Sequence, residues 1–102
     1  MISKEVIEVN QELNNSKAIL EEQGDKLRKI LEEKIKNNNI KIILDFNNIE
    51  LISTPFLNHF LGNLLLDKGK DYRNILSRIS FKNLNKDDIE LVYLVVANSI
   101  EQ

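Results

Sequence analysis

Two hydroxyls stand side by side at Ser53 and Thr54, directly before Pro55 and the apolar run that opens at Phe56. Thr is a favoured helix N-cap, and proline is pre-organised for the first helical position, where its missing N–H costs nothing. The plain reading is that Thr54 caps a helix and Ser53 is a polar loop residue. The chemical alternative is a phosphorylation switch. A phosphate at this point would sit over the unpaired N–H groups of the helix, which accept anions readily. In a partner's interface it would instead add about two negative charges and disrupt packing.

Two further side chains could do chemistry. Asp45 lies near the C-terminal end of an apolar strand, where open α/β sheets place their ligands. It could hold a metal or act as a base, but no second acid or histidine stands at a supporting spacing. The expected role is to accept hydrogen bonds from the following loop and fix the turn. His59 is the single histidine and falls on the polar side of its helix. A metal site needs several convergent donors, so His59 reads as a surface residue. There is no GxxxxGK[ST], no GxGxxG after a strand, no HExxH and no GxSxG. Gly24, Gly62 and Gly69 are isolated and form no phosphate cradle. No enzyme activity, no metal and no cofactor is expected.

The elements that must position these groups belong to a chain of 102 residues, the size of one domain spanning 1–102. Net charge is -2 with the acids and bases interspersed, so the basic stripe of a nucleic-acid binder is missing. The only basic clusters, Lys34–Lys36 and Lys68/Lys70/Arg73, fit solvated helix ends. The absence of cysteine excludes disulfides and thiolate chemistry. The longest apolar run, Leu91 to Ala97, is far too short for a membrane span. No signal-peptide core opens the chain. A cytoplasmic protein binding neither nucleic acid nor membrane is expected.

Val6–Val9 alternates as a strand entered from Ile2, and Gln11–Asn15 is turn-like. Lys17–Leu20 is either a second short strand pairing back as a hairpin or the first turn of the next helix; the periodicity does not decide. From about Glu22 the pattern is helical, with Leu20, Leu27, Ile30, Leu31 and Ile35 on one face, acids early and lysines late. Ile40–Phe46 is an isoleucine-rich run of strand length, predicted as a central strand covered on both faces. Phe56, Leu57, Phe60, Leu61, Leu64 and Leu65 form the buried stripe of the next helix, opposite Asn58, His59, Gly62, Asn63 and Asp67, with Gly69 where a left-handed C-terminal cap would go. Arg78–Phe81 reads as a strand, Asn85 as an N-cap, and Leu91–Ile100 as a helix apolar nearly all round. The order β(β)αβαβα implies an α/β fold of two layers, a mixed sheet with amphipathic helices packed against it.

The segments Ile43–Ile49 and Leu51–Leu57 together resemble the core of the STAS superfamily, the fold of bacterial anti-sigma factor antagonists. Gln23–Arg28, Asp45-Phe46 and Ser53–Leu57 are more closely similar to the STAS-like family DUF4325. That family has a Gly- and Leu-bearing helix, a strand ending in Asp-Phe, and a helix start with a small hydroxyl residue and Phe. Phe81–Asn85 resembles its late strand leading into the last helix. The likeness implies a compact domain that regulates by docking to a protein. In anti-sigma factor antagonists a GHKL-type kinase phosphorylates a serine within an Asp-Ser-Ser-Gly run at this helix start. Laid on this chain, that serine falls at Thr54, with Ser53, Pro55 and Phe56 at its neighbours' places.

The expectation is therefore a non-enzymatic interaction module. Its docking surface would comprise Asn47, Asn48, Glu50, Ser53, Thr54, Asn58 and His59, and its partner a GHKL-type ATPase or kinase or another regulator. A second expectation, from a different class, is a self-associating domain that uses the apolar C-terminal helix, a homodimer for example. A third is small-molecule or nucleotide binding at the strand ends near Asp45 and Ser53.

Overall fold

The structure, a computed structural model, describes residues 3–100. At its centre is β3 (Ile40–Asp45), flanked by β1 (Ser3–Glu8) and β5 (Ile79–Lys82) in a parallel sheet of order β1-β3-β5. Parallel neighbours cannot be joined by tight turns and need long crossovers. The first crossover carries α1 (Val9–Leu13), β2 (Lys17–Ala18) and α2 (Glu21–Ile35). The second carries β4 (Leu51–Ile52), α3 (Thr54–Leu57), a π turn (Asn58–Gly62), α4 (Asn63–Lys68), a 3-10 turn (Gly69–Asp71) and α5 (Tyr72–Ser77). The chain then passes from β5 into α6 (Lys86–Ile100). None of these helices is long and apolar enough to cross a membrane.

The expected α/β class and the central position of the Ile40–Phe46 run hold. The sheet, however, is covered on one face only. Ile7, Ile42, Leu44 and Ile79 join a single core cluster to which every helix contributes, among them Leu27, Leu31, Phe56, Phe60, Leu64, Ile75 and Val92. On the opposite face, Val6, Ile43 and Ser80 form one row and Glu8, Asp45 and Lys82 the next. Val6 there is 54% exposed. The expectation of cover on both faces came from the continuous apolar run. With all helices stacked on one side, Ile43 is left half-buried, and Lys4, Glu8, Lys41 and Lys82 make the other side polar enough to face water.

Pairing and boundaries differ at the N-terminal end. Lys17–Ala18 is a strand, but it pairs in parallel with Leu51–Ile52 and does not fold back as a hairpin. Every pairing among the described residues is consequently parallel, where a mixed sheet was expected. Val9 begins α1 instead of ending a strand, because a helical turn buries Val9 and Leu13 on one side, four residues apart. Asn14, in the left-handed region, closes that turn. The proposed strand entry at Ile2 lies outside the described residues.

Leu20 is not on the buried face of α2. It precedes the helix in extended conformation, and its side chain is 51% exposed. Gln23 makes the junction: its Oε1 accepts from the N–H groups of Ile19 and Leu20 at 2.9 Å each, and its Nε2 donates to the Lys17 carbonyl at 2.9 Å. This is the returning half of a capping box. The helix is held at its other end by Arg78, whose guanidinium donates to the carbonyls of Ile35, Ile40 and Asn37.

α6 starts as expected, with Asn85 Oδ1 accepting from the Asp88 N–H at 2.8 Å. It buries Val92 and Val95 but leaves Tyr93 and Leu94 at 70% and 58% exposure, so only one side of its apolar surface is covered. Gly69 ends α4 where the sequence predicts, but at φ 54 and ψ -121 it is not the left-handed cap expected there.

Candidate functional site

The hydroxyls at the mouth of α3 divide their labour, and the division reverses the expectation. Ser53 is the N-cap: it is extended, its Oγ accepts from the Phe56 N–H at 3.2 Å, and the same hydroxyl donates to the Ile19 carbonyl at 2.8 Å. Thr54 is the first helical residue, exposed, with Pro55 next to it in the first turn. The physical reason is the β2–β4 pairing. The Ser53 N–H donates to the Ala18 carbonyl, which keeps Ser53 in extended geometry and moves the cap one residue earlier than a Thr-Pro signal suggests. Thr54 thus has the hydroxyl that a modifying enzyme could reach, while the Ser53 oxygen is committed on both sides.

The same pairing places an apolar strip beside the hydroxyls. Ile19, Leu20 and Leu51 are all exposed, Leu51 at 53%, and they belong to the strand and loop that Ser53 bonds to. The loop before β4 is fastened from the other side. Glu50 N–H donates to the Ser16 carbonyl at 2.7 Å, and Asn10 Nδ2 donates to the Asn48 carbonyl at 3.3 Å. Asn47, Asn48, Glu50, Thr54 and Asn58 are all exposed, so five of the seven residues expected at the docking surface are open to solvent, while Ser53 and His59 are half-buried. The strip itself was legible only as three apolar residues lying just outside regular elements.

His59 does not project freely. Its Nδ1 lies 3.0 Å from Asp25 Oδ1 and its Nε2 2.5 Å from Glu21 Oε2, so both ring nitrogens face carboxylates on α2. Only the imidazolium can donate from both nitrogens at once. The Asp25 hydrogen bond raises the pKa of His59; burial opposes this, and the charges of Glu21 and Asp25 add to the rise. Arg28 continues the cluster, 3.3 Å from Asp25, 3.7 Å from Glu32 and 3.8 Å from Asp67 on α4. The cluster sews α2 to the helix that follows Ser53, and it escaped sequence reading because its halves are more than thirty residues apart. Among the described residues, no group of three or more His, Cys, Asp and Glu side chains could hold a metal ion.

The sign of the linkage follows from that raised pKa. Stability contributed by charged His59 is fully present below the unfolded imidazole value of about 6.5 and is lost as pH rises through the higher folded value. Melting temperature measured from about pH 6 to pH 9 should fall with rising pH, and His59→Gln should flatten that dependence. A wild-type curve as flat as that of the variant contradicts the assignment.

Asp45 faces the loop that follows β3. Its Oδ1 accepts from the Asn47 N–H at 2.9 Å and from Asn83 Nδ2 at 2.8 Å. The Asn83 bond, then the Asn47 bond, hold its carboxyl below the ordinary range. It ties two turns that carry left-handed residues, Asn48 at φ 66 and Asn83 at φ 62. The adjacent hollow, rimmed by Glu8, Asn10, Gln11, Asp45, Asn47 and Asn48, holds about 50 Å³. A pocket of that size with carboxylates at its rim does not fit a nucleotide. Asp45 and Ser53 sit in separate hydrogen-bond sets.

Gly24 lets α2 approach the start of the α3 helix closely. A Cβ on this residue would lie 2.4 Å from the Phe56 carbonyl oxygen, 3.0 Å from His59 Cβ and 3.1 Å from the Phe60 nitrogen. Backbone therefore meets backbone where α2 crosses the junction of α3 and the π turn. The widened turn is itself a feature that recurs at functional sites. Gly62, expected on the polar side, is buried beneath α6, with Ser99 Oγ 3.2 Å from where its Cβ would be.

No curated protein and no solved structure matches the chain. A family model does match, over residues 23–88, a segment that opens with the α2 residues around Gly24 and takes in β3, the Ser53–Thr54 helix mouth and β5. By that match over more than half of its length, the chain belongs to the family described as STAS-like domain of unknown function (DUF4325).

Proposed function

We propose that this protein is a non-enzymatic regulatory module that acts by docking to another protein through the Ser53–Thr54 shoulder. The observation that carries the reading is the pairing of an exposed Thr54, at the open start of a helix, with the exposed Ile19, Leu20 and Leu51. Interfaces combine an apolar centre with a polar rim in this way. The STAS-like family supports it by kinship of fold, as does the placing of Thr54 where anti-sigma factor antagonists carry their phosphorylated serine. The partner proposed is a GHKL-type ATPase or kinase or another regulator, in the cytoplasm. Phosphate on Thr54 would set the docked state by adding about two negative charges at the rim.

Thr54→Arg combined with Asn58→Arg tests this, because both positions are exposed and neither belongs to the His59 cluster. Affinity purification from the native cell should recover a discrete partner with the wild-type chain and lose it with the double variant at unchanged melting temperature. Equal recovery with both proteins rejects this surface.

A second reading, self-association through α6, rests on the exposure of Tyr93 and Leu94. Light scattering separates the two: a concentration-dependent dimer lost in Leu94→Glu supports self-association, and a monomer at high concentration rejects it.

A further inference from the structure

β1 is an outer strand of its sheet, with β3 on one side and, among the described residues, no strand on the other. The Ser3 N–H donates to the Asn39 carbonyl at 2.8 Å, so residue 3 directs its main chain to β3. In a parallel ladder alternate residues serve the same neighbour. Ser3, Glu5 and Ile7 therefore serve β3, and the main-chain groups of Lys4, Val6 and Glu8 point outward along the free edge. The side chains of these three are exposed on the open face of the sheet. Glu8 is also the N-cap of α1, so its carbonyl goes to the helix and only its N–H is left for the edge.

The charges on this edge stand next to their like. Lys4 lies beside Lys41 in the register, and Glu8 beside Asp45. Like charges directly opposite one another are destabilising. Lys82 answers Asp45 from the far side of that row, away from Glu8. Among the described residues neither Lys4 nor Glu8 takes part in an ion pair, whereas Glu5, on the helical face, is held by Lys34 at 3.3 Å.

We propose that β1 pairs antiparallel with β1 of a second copy of this chain, about a two-fold axis beside Val6, joining two three-stranded sheets into one of six strands. This register uses all three outward residues of each copy. It sets Val6 against the Val6 of the other copy, and each Lys4 against the Glu8 opposite. The Val6 pair exchanges two main-chain hydrogen bonds, and each Glu8 N–H reaches the Lys4 carbonyl across from it. Two opposite-charge pairs and one apolar pair then lie side by side on the open face.

Charge selects both the occupant and the register. A slip of two residues parts every Lys4 from its Glu8, and a slip of four sets Lys4 on Lys4 or Glu8 on Glu8. A lysine on an edge ordinarily guards it against pairing. With Glu8 four residues on, that guard is lifted for the chain's own copy alone. The axis stands normal to the sheet, so the two helical layers lie on the same side and the contact closes as a dimer. None of these residues belongs to the Ser53–Thr54 shoulder or to α6, and the pairing is independent of both.

One strand from each copy is a small contact, so the dimer is weak and fills only at high concentration. Sedimentation equilibrium of the full chain from about 10 μM to about 1 mM should show the mass rising toward that of a dimer. Amide exchange at Val6 and Glu8 should slow over the same range. Lys4→Glu leaves only acids among the outward residues and Glu8→Lys only bases, so each variant should associate about tenfold more weakly. Mixed one to one, the two variants should recover the wild-type association, because each mixed pair restores two opposite-charge contacts. Leu94→Glu should leave it unchanged. The proposal is overturned if the chain stays monomeric at about 1 mM, if either single variant associates as tightly as the wild type, or if the mixture stays as weak as its components. Association lost in Leu94→Glu, with Val6 and Glu8 unprotected, would assign the contact to α6 and overturn it as well.

Discussion

Replacing Gly24 with alanine should destabilise the protein by about 1–3 kcal/mol, the cost of forcing extra volume into a packed interior. The sign is the informative part. Within a helix, alanine is ordinarily favoured over glycine by about 1 kcal/mol. Here the new Cβ would stand 2.4 Å from the Phe56 carbonyl oxygen, and a backbone atom cannot swing aside as a side-chain tip can. α2 must withdraw from α3, loosening the core that Leu27 and Leu31 share with Phe56 and Phe60 and lengthening the His59 bridges. Urea denaturation gives the answer directly. A lowered midpoint is expected, and a raised one would mean that the two helices stand further apart than described.

The second large effect separates the two hydroxyls. Ser53→Ala removes the acceptor for the Phe56 N–H and the donor to the Ile19 carbonyl in one step. Loss of a capping side chain costs about 0.5–2 kcal/mol, and the upper half of that range is expected because the β2–α2 junction loses its tie as well. Thr54→Ala removes an exposed side chain at the first helical position and should change stability by less than about 0.5 kcal/mol. Thermal unfolding of the two variants side by side decides the matter. Equal losses, or a greater loss in Thr54→Ala, would return the cap to Thr54.

Much of this arrangement was legible in the residues alone, wherever a local signal had no competitor. Ile40–Phe46 announced a central strand by length and composition, Asn85 with two acids announced α6, and Gly69 the end of α4. The stripe from Phe56 to Leu65 is buried throughout. The misreadings share one cause, which is that tertiary contacts override local pattern. Thr54-Pro55 is a sound cap signal, yet a parallel pairing between strands of two residues each moved the cap to Ser53. Leu20 has the helical spacing of a core residue but falls before the first turn, where Gln23 holds the chain extended. β3 looks like a strand buried on both faces because Ile43 is apolar, and nothing in the run reveals that its neighbours across the sheet are Val6 and Ser80. His59 was legible as a lone histidine; its carboxylate partners lie on a helix whose approach depends on Gly24.

The central claim is that Thr54 and its surroundings form a contact with another protein. A photo-crosslinking amino acid placed at Thr54, and in a second strain at Lys36 on a distant exposed helix end, tests it in the native cell. The prediction is one discrete covalent adduct from position 54, absent from position 36 and lost when Asn58→Arg is added. No adduct at 54, or the same adducts from both positions, would contradict it.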